Sequence, residues 1–368
     1  MKQIQTQSLH AGRLHPRAAG AVVTPIYQSS TFEYDGEDYH DVGYLRLSNS
    51  PNHRVLNKRL AVLEEAEAAL VTGGGMSAIS AVLFSLLSQG DHLLVQDCLY
   101  GGTSGLIDQD LSRFGITRSV IDVQDPSTWE GALQKGTRAI YVETLTNPLV
   151  QMADLEAVVE FARANGIVSI IDNTFASPVL FRPAAAGFDL VVESATKYMG
   201  GHNDLIAGVV AGRGDLVRKA KLMLDHLGGS IDALGCFLLE RGLKTLELRV
   251  RHQCASALTL ARALDAHPGV RRVNYPGLPG HAQHERAARL LNGGFGGMMS
   301  FEIDGSLEDT EAFLARVTLP AVAASLGGAE SLMVRPAAAI HSGLTASERA
   351  ATGITDTLIR FSVGLEGT

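Results

Sequence analysis

The sequence predicts an α/β fold in which helices cover both faces of a mostly parallel sheet. Strand-like apolar runs, such as DHLLVQD, TRAIYVET and GIVSIID, alternate with segments of helical spacing. Parallel strands need long crossover connections, which are usually helices, so this alternation indicates a doubly covered parallel sheet. Beyond about residue 240 the pattern changes, and a glycine-rich segment leads into another strand. This change predicts a smaller α+β domain at the carboxyl end.

Three parts of the chain follow from this pattern. Residues 1–50 have little periodicity and many polar turns, which indicates an arm that lies on another surface, and we expect a neighbouring subunit. We assign residues 51–240 to the large domain and residues 241–368 to the small domain.

Helices and strands of the large domain can be placed in order. Apolar residues recur at helical intervals in RLAVLEEAEAAL, which begins at Arg59, and again from Ile79 to Leu87. The segment ADLEAVVEFARANG is a predicted helix that ends on its glycine. The β-branched run that begins at Leu190 predicts a short buried strand.

The small domain begins with a long amphipathic pattern. RGLKTLELRVRHQCASALTLARALDAHPG predicts one continuous helix that stops at Pro268 and Gly269. GGFGGMMSFEID then predicts a glycine-rich loop followed by a strand with alternating faces, and LIRFSVGLE predicts a strand near the end of the chain.

Composition narrows the classes of partner. The 368 residues carry a formal net charge of −8 with both signs interspersed, which argues against nucleic acid or an anionic membrane as main partner. No apolar run could span a membrane, and the amino terminus lacks the apolar core of a signal peptide. Cys98, Cys236 and Cys254 form no CxxC pair and indicate free thiols in a cytoplasmic protein. The histidines form no ligand cluster, so we predict no metal site.

One lysine stands out at the exit of a predicted buried strand. Lys197 lies in the segment SATKYMGGHND, directly after the run FDLVVE. Loss of water around an amine lowers its pKa, and a neutral amine is a nucleophile. Alternatively, the lysine stem lies along the loop and its charged head reaches water.

A carboxylate follows a second predicted strand. Asp172 ends the run GIVSIID, and ligands of open α/β sheets bind at the carboxyl ends of the strands. An amine and a carboxylate on one crevice suit pyridoxal phosphate. The lysine forms a Schiff base with the cofactor, and the aspartate keeps its pyridine nitrogen protonated.

A glycine-rich turn opens a predicted helix at Gly73, Gly74 and Gly75. Bare backbone amides at a helix start would cradle a phosphate. The same residues with Ala78 also fit GxGxxA, a weak dinucleotide pattern, and Asp97 would then bind the ribose. This alternative, a nicotinamide-dependent dehydrogenase, leaves Asp172 and Lys197 unexplained.

Other candidate residues have two interpretations each. Tyr100, just past a strand, either stacks on a flat heterocycle or simply begins a loop. Tyr44 and Arg46 could bind a phosphate or form a surface pair. Arg360 lies in an apolar run and needs an anion, either a substrate carboxylate or an interdomain acidic side chain.

Taken together, these features resemble the Cys/Met metabolism (trans-sulfuration) family of pyridoxal-phosphate enzymes. The similarity extends nearly end to end. It includes the ordered motifs GAVVTPIYQSSTF, GGGMSAISAVL, DCLYGGT, ETLTNP, IDNTF, SATKYMGGHND, RGLKTLELR, GGMMSFE, SLGGAESL and IRFSVGLE. The resemblance implies the fold type I architecture of aspartate aminotransferase. It also implies a homotetramer of paired dimers whose active sites use residues from two subunits.

The resemblance also implies roles for individual residues. Lys197 resembles the Schiff-base lysine, Asp172 the partner of the pyridine nitrogen, and Tyr100 the tyrosine that stacks on the ring and helps to activate the substrate. The implied phosphate ligands are Gly75, Met76, Ser194 and Thr196, with Tyr44 and Arg46 from the neighbouring subunit. The implied substrate-carboxylate ligands are Arg360, Asn147 and Ser325.

The implied activity is γ-elimination or γ-replacement on sulfur amino acids such as cystathionine, methionine or homocysteine. The implied alternatives are β-elimination of the cystathionine β-lyase type and O-acylhomoserine sulfhydrylation. The chain departs from the family pattern at one apparent insertion near Asn49 and at Ala324, where cystathionine-handling members commonly have a glutamate. The alanine favours a smaller or apolar distal group on the substrate.

Overall fold

A seven-stranded sheet organises the first two thirds of this computed structural model, which describes residues 3–34, 36, 42–339 and 345–367. Its strands are β1 (Ala68–Thr72), β2 (His92–Gln96), β3 (Thr117–Ile121), β4 (Thr137–Glu143), β5 (Val168–Asp172), β6 (Leu190–Glu193) and β7 (Gly208–Gly212). Their order across the sheet is β1-β7-β6-β5-β4-β2-β3. The strands from β2 to β6 pair in parallel, and β7 is antiparallel to both β1 and β6. The prediction of a mostly parallel sheet is therefore confirmed.

A five-stranded sheet lies in the carboxyl-terminal part of the described chain. Its strands are β8 (Val270–Asn274), β9 (Met298–Ile303), β10 (Ala321–Val322), β11 (Leu332–Val334) and β12 (Leu358–Ser362), in the order β10-β11-β12-β9-β8. All neighbours pair antiparallel except β10 and β11. This smaller sheet agrees with the predicted α+β domain, while the domain boundaries at residues 50 and 240 stay predictions.

Helices connect and cover the strands. They are α1 (Ile4–His10), α2 (Pro51–Leu63), α3 (Gly75–Leu86), α4 (Gly101–Gly105), α5 (Leu155–Asn165), α6 (Ser177–Leu180), α7 (Pro183–Ala186), α8 (Gly214–Leu227), α9 (Ala233–Leu243), α10 (Leu246–Asp265), α11 (His284–Leu290), α12 (Leu307–Arg316) and α13 (Ala346–Ala351). None of the described helices is long and apolar enough to cross a membrane. The described residues also contain no group of three or more histidine, cysteine and acidic side chains arranged to hold a metal ion.

Helix α5 shows how local sequence sets these elements. The Asp154 side chain accepts a hydrogen bond of 3.2 Å from the Ala157 amide, which caps the first turn. Gly166 ends the helix at φ 62°, a left-handed conformation that glycine adopts without steric cost. The predicted glycine stop is confirmed.

The seven-stranded sheet has a buried cluster on each face. Leu56, Leu60 and Leu63 of α2 pack in the cluster that contains Val191, whereas Val82 of α3 and Leu224 of α8 pack in the other. Successive strand residues point to opposite faces, so both faces need apolar partners. These helices therefore cover both faces of the sheet.

The predicted helix over RLAVLEEAEAAL is wrong in its second half. Helix α2 ends at Leu63, Glu65 has φ 52°, and strand β1 begins at Ala68. Leu70 lies seven residues after Leu63, a spacing that helices share, but it pairs with Val210 of β7. Pairing at the sheet edge outweighs the local helical spacing.

The predicted continuous helix from Arg241 is interrupted. Helix α9 ends at Leu243 and α10 begins at Leu246. The Arg249 guanidinium donates to the Gly242 carbonyl at 2.9 Å and to the Tyr198 carbonyl at 2.7 Å. The break between the helices leaves the Gly242 carbonyl without a partner in the helix, and the buried Arg249 side chain supplies the missing hydrogen bond.

Strand β9 does not have the predicted alternation of buried and exposed faces. Met299 and Phe301 pack in the small-domain core, and the opposite side of the strand is also buried. There Met298 joins the large-domain core, and Glu302 forms an ion pair with Arg272 at 3.2 Å. The large-domain core therefore covers Met298 on this face, whereas Glu302 is covered by a neighbouring strand of the same sheet.

Part of the predicted arm packs on its own chain. Ile4 of α1 joins the large-domain core, and the Ala11 carbonyl accepts a hydrogen bond of 3.0 Å from Arg59. Val22, Val23 and Ile26 follow and are exposed apolar residues. The arm thus leaves apolar surface uncovered between residues 22 and 26.

Candidate active site

The amine of Lys197 lies just beyond the carboxyl end of β6. Its Nζ donates a hydrogen bond of 2.8 Å to Ser325 Oγ, which belongs to the small-domain side of the cavity. Burial and, to a smaller extent, the charge of Arg360 lower the pKa of Lys197 to about 8. The side chain is only partly exposed, and with this pKa about a tenth of the amine is neutral at pH 7.

The carboxylate of Asp172 lies at the end of the neighbouring strand β5. Asp172 pairs in register with Val192 of β6 and Glu143 of β4. Its Oδ1 accepts a hydrogen bond of 2.9 Å from the Thr174 amide. Burial raises the pKa of Asp172, and hydrogen bonds from Thr174 oppose that rise. A cation beside this carboxylate would keep it ionised.

Sequence reasoning missed a second carboxyl group at this edge, that of Glu143. Glu143 Oε1 accepts a hydrogen bond of 2.5 Å from the Tyr100 amide and so fixes the loop that carries this tyrosine. Burial and the charge of Asp172 raise the pKa of Glu143 well above its usual range. The sequence did contain a sign of this role. Glu143 lies at the end of the strand-like run TRAIYVET, and therefore at the same sheet edge as Asp172.

The amino end of α3 forms a close contact with the loop after β6. A Cβ on Gly75 would lie 2.9 Å from the Cβ of Ser194, so only glycine fits there. The first amides of a helix have no partner within the helix and favour an anion. The Thr196 hydroxyl lies in the same loop and exchanges hydrogen bonds with Ala207, at 3.0 and 3.2 Å.

The ring of Tyr100 lies over Gly102 beside Met76. A Cβ on Gly102 would come within 2.6 Å of the tyrosine ring and 2.9 Å of the methionine sulfur. Tyr100 itself is 40% exposed at the cavity. Its ring can therefore contact a flat ligand in the cavity.

Arg360 crosses the cavity floor from β12. The residue is 3% exposed, and its two terminal nitrogens donate to Asn147 Oδ1 at 3.2 Å and to the Ser325 carbonyl at 2.7 Å. Its buried Nε has no acceptor among the described residues. Burial lowers the pKa of Arg360 to about 10, so the guanidinium is still charged at neutral pH. Ser325 is held at φ 82°, in the left-handed region.

One cavity of about 390 Å³ brings together ten of the twelve predicted site residues. They are Gly75, Met76, Tyr100, Asn147, Asp172, Ser194, Thr196, Lys197, Ser325 and Arg360. Glu143 and Ala324 also line this cavity, and Ala324 lies on its exposed side. Its volume is within the range of pockets that hold small molecules and cofactors.

Tyr44 and Arg46 are not among the described residues that line the cavity. The Arg46 guanidinium lies 5.5 Å from the centre of the Tyr44 ring and donates to the Asp225 carbonyl at 2.7 Å. Tyr44 is 39% exposed. Within one chain the two residues therefore form a pair on the surface.

The residues present fit pyridoxal phosphate. The glycine at the start of α3 leaves room for a phosphate against Ser194, and the amine of Lys197 can bind the aldehyde. A protonated ring nitrogen would supply the cation that Asp172 lacks. The unpaired Arg360 Nε offers one further donor to an anionic substrate.

This fold and this cavity define a pyridoxal-phosphate-dependent enzyme of fold type I. A family model described as Cys/Met metabolism PLP-dependent enzyme matches residues 5–368, and the chain belongs to that family. The resemblance inferred from the sequence motifs is confirmed. The dinucleotide interpretation of Gly73, Gly75 and Ala78 is wrong, and Asp97 is not among the described residues that line the cavity.

Proteins similar to this chain are named for three different activities. The chain is 40% identical to an L-methionine γ-lyase of Fusobacterium nucleatum subsp. polymorphum, over 98% of this chain and 94% of that protein. It is 38% identical to a cystathionine β-lyase of Coxiella burnetii, over 99% and 94%. A solved structure of cystathionine γ-synthase from Xanthomonas oryzae pv. oryzae superposes with a TM-score of 0.94 at 37% identity, over 100% and 95%. Family membership alone therefore does not identify the substrate, which has to be inferred from the cavity.

Proposed function

We propose that this enzyme performs γ-elimination on sulfur amino acids with a small apolar distal group, such as methionine or homocysteine. The products are a thiol or hydrogen sulfide, ammonia and 2-oxobutyrate. The observation that carries the proposal is Ala324, which lies on the exposed side of the cavity that contains Lys197 and Arg360. The methyl side chain of Ala324 cannot bind a distal ammonium group, so a substrate with an apolar distal group is favoured.

Arg360 is the residue that orients the substrate. Its guanidinium is buried and already directed into the cavity by Asn147 and Ser325. A carboxylate that replaces the Ser325 carbonyl as acceptor would form a charge-assisted pair with a planar fork of donors. The α-carbon of the substrate is then held on the same side of the cavity as the amine of Lys197, which also contacts Ser325.

Lys197 and Tyr100 move the protons. When bound, pyridoxal phosphate supplies an electron sink for the charge left at the substrate's α-carbon. Lys197 Nζ, with its pKa lowered to about 8, can take up a proton at the α-carbon and carry it at neutral pH. Tyr100 lines the same cavity, and its hydroxyl can assist in removing or returning a proton. Departure of a γ-sulfur also requires removal of a proton at Cβ. The Lys197 amine can take this second proton once it has passed on the first, and the sulfur leaves as a thiol by taking up a proton.

A γ-replacement reaction is the second candidate. The likeness to a cystathionine γ-synthase structure favours it, because the same proton relay serves both reactions. In replacement a thiol adds at the γ-carbon, whereas in elimination no group adds there and hydrolysis at the α-carbon releases ammonia and 2-oxobutyrate. The two reactions differ in whether a thiol reaches the cavity as a second substrate. The assay must therefore distinguish γ-elimination from γ-replacement by a thiol.

The test is a substrate panel with the purified enzyme loaded with pyridoxal phosphate. Methionine, homocysteine, cystathionine, cysteine and an O-acylhomoserine are each supplied with and without a thiol, and 2-oxobutyrate, pyruvate and thioether products are measured. We expect 2-oxobutyrate from methionine and homocysteine without added thiol, and no product from Lys197→Ala, which also loses the absorbance of bound cofactor. Pyruvate as the main product, or thioether formation only, would contradict γ-elimination.

We also infer a cytoplasmic homotetramer made of paired dimers. The exposed apolar residues Val22, Val23 and Ile26 support a covered arm, and the surface position of Tyr44 and Arg46 suits a contribution to a neighbouring site. Three buried free cysteines support a reducing compartment. Sedimentation velocity of the loaded enzyme measures the assembly.

A further inference from the structure

Two glutamate side chains meet in the interior beneath the active site. Glu64, at the end of α2, is 0% exposed, and Glu193, the last residue of β6, is 2% exposed. Their carboxyl groups lie within hydrogen-bonding reach of each other. Neither residue lines the cavity or has been assigned a part in the reaction above.

The donors around this pair are too few for two carboxylates. Glu193 Oε1 accepts a hydrogen bond of 3.0 Å from Asn173 Nδ2. Neither oxygen of Glu64 accepts a hydrogen bond from an N–H or O–H among the described residues. Two ionised carboxylates in contact and out of water repel each other strongly, so one of them must carry a proton.

The surrounding charges do not neutralise a second negative charge. On the segment before α7, Arg182 attracts Glu64 from a distance, while its own guanidinium contacts Glu65 and Gln7. Asp172 on β5 repels charge on Glu193. Helix α9, which packs on α2, offers Glu240, which is paired with Arg59 at 3.2 Å. The neighbouring strand β7 has the sequence GVVAG and carries no charge.

We propose that Glu64 and Glu193 share one proton, and that this carboxyl–carboxylate hydrogen bond positions the loop that carries Lys197. Glu193 directly precedes Ser194, and the Asn173 that binds it directly follows Asp172. The bond therefore fastens the end of α2 to the two strand ends that present the amine and the carboxylate of the active site. Loss of the proton would place two like charges in the interior and loosen that attachment. Both glutamates are positioning residues and do not touch the reacting atoms.

The shared proton makes the attachment sensitive to pH. Burial raises the pKa of Glu64 to about 7, and the raised pKa of Glu193 reflects the same proton, because the two carboxyl groups interact and titrate as a pair. The stabilisation is present below the unfolded pKa of a glutamate, about 4.3, and is lost as the pH rises through the folded value. Between about pH 5 and 7 the folded chain holds one proton that the unfolded chain releases, so the pair makes the unfolding constant rise about tenfold per pH unit.

The test compares the loaded wild-type enzyme with Glu64→Gln and Glu193→Gln between pH 5 and 8. Each glutamine retains the size of the glutamate and can donate an N–H to the remaining carboxylate, but it has no proton that titrates in this pH range. We expect the slope of log unfolding constant against pH, from urea unfolding, to fall by about one in both variants. Release of the cofactor during dialysis should accelerate with pH in the wild type and depend less on pH in the variants. Glu65→Gln, the adjacent and exposed residue, is the matched control and should behave as the wild type.

Infrared spectroscopy at pH 6 provides an independent measurement. The carbonyl absorption of a protonated carboxylic acid should be present in the wild type and in Glu65→Gln, and weaker by one group in both pair variants. Variants that are less stable yet retain the wild-type pH slope and the same carboxylic-acid absorption would overturn the shared proton. If one glutamine variant does not fold, the other decides by the same two measurements. Neither readout depends on which sulfur amino acid the enzyme uses.

Discussion

Replacement of Arg360 by methionine tests how the substrate is held. Methionine retains an unbranched side chain of similar reach and removes only the guanidinium, which is 3% exposed and directed into the cavity. A substrate carboxylate would lose two charge-assisted hydrogen bonds, each contributing about 1.5–3 kcal/mol. Removal of one partner from a buried ion pair costs about 3–5 kcal/mol in total. We therefore expect kcat/KM to fall about 10²- to 10⁴-fold.

Initial rates of 2-oxobutyrate formation measure this loss and divide it between kcat and KM. The carboxylate contact is made before and during the reaction, so most of the loss should appear as a higher KM. Arg335→Met is the control, because Arg335 forms an ion pair with Glu311 at 2.9 Å and is not among the described residues that line the cavity. We expect its kcat/KM to lie within about twofold of the wild type.

One outcome would refute this reasoning about Arg360. A loss below tenfold in Arg360→Met, with cofactor binding intact, would mean that the carboxylate is bound by another group. A fall in kcat/KM of similar size in Arg335→Met would mean that the loss comes from the fold and not from the removed contact.

Two further predictions concern the cavity. Ala324→Glu should raise the kcat/KM ratio of cystathionine to methionine about fivefold, which corresponds to about 1 kcal/mol from a partly exposed ion pair. Ala324→Gln is the uncharged control. If the glutamate and glutamine variants have the same ratio, the distal group of cystathionine is bound elsewhere. In cofactor-free protein, the rate of pyridoxal phosphate capture, followed by absorbance, should rise with pH with a midpoint near 8, because only the neutral Lys197 amine attacks the aldehyde. Arg360→Met should move this midpoint upward, and a wild-type midpoint near that of a free lysine would contradict the lowered pKa.

Much of the large domain could be predicted from local sequence. The β-branched run before Lys197 and the apolar run before Asp172 form adjacent parallel strands, as expected. The side chains at their carboxyl ends meet in one cavity because parallel strands end at the same edge. A strong local pattern was enough here because both strands are buried on two faces, so their composition alone marks them.

Other features depend on contacts that the local sequence does not contain. Leu70 belongs to a strand only because β7 pairs with it, and the end of α9 depends on a guanidinium from Arg249 that binds the freed carbonyl. Tyr44 and Arg46 illustrate the same limit, since their predicted role concerns a second chain. Glu143 differs, because its place at the sheet edge could have been inferred from the neighbouring strand ends.

The left-handed backbone of Ser325 restricts how this enzyme can change during evolution. A non-glycine residue in that conformation costs about 1–3 kcal/mol, and its hydroxyl and carbonyl both contact the site through Lys197 and Arg360. Glycine would relieve the backbone but remove the hydroxyl, and a β-branched residue would worsen the strain. Neither of these two constraints, the left-handed backbone and the contacts with Lys197 and Arg360, applies to Ala324. New substrate preferences can therefore arise by exchange of residue 324 while its neighbour stays a serine.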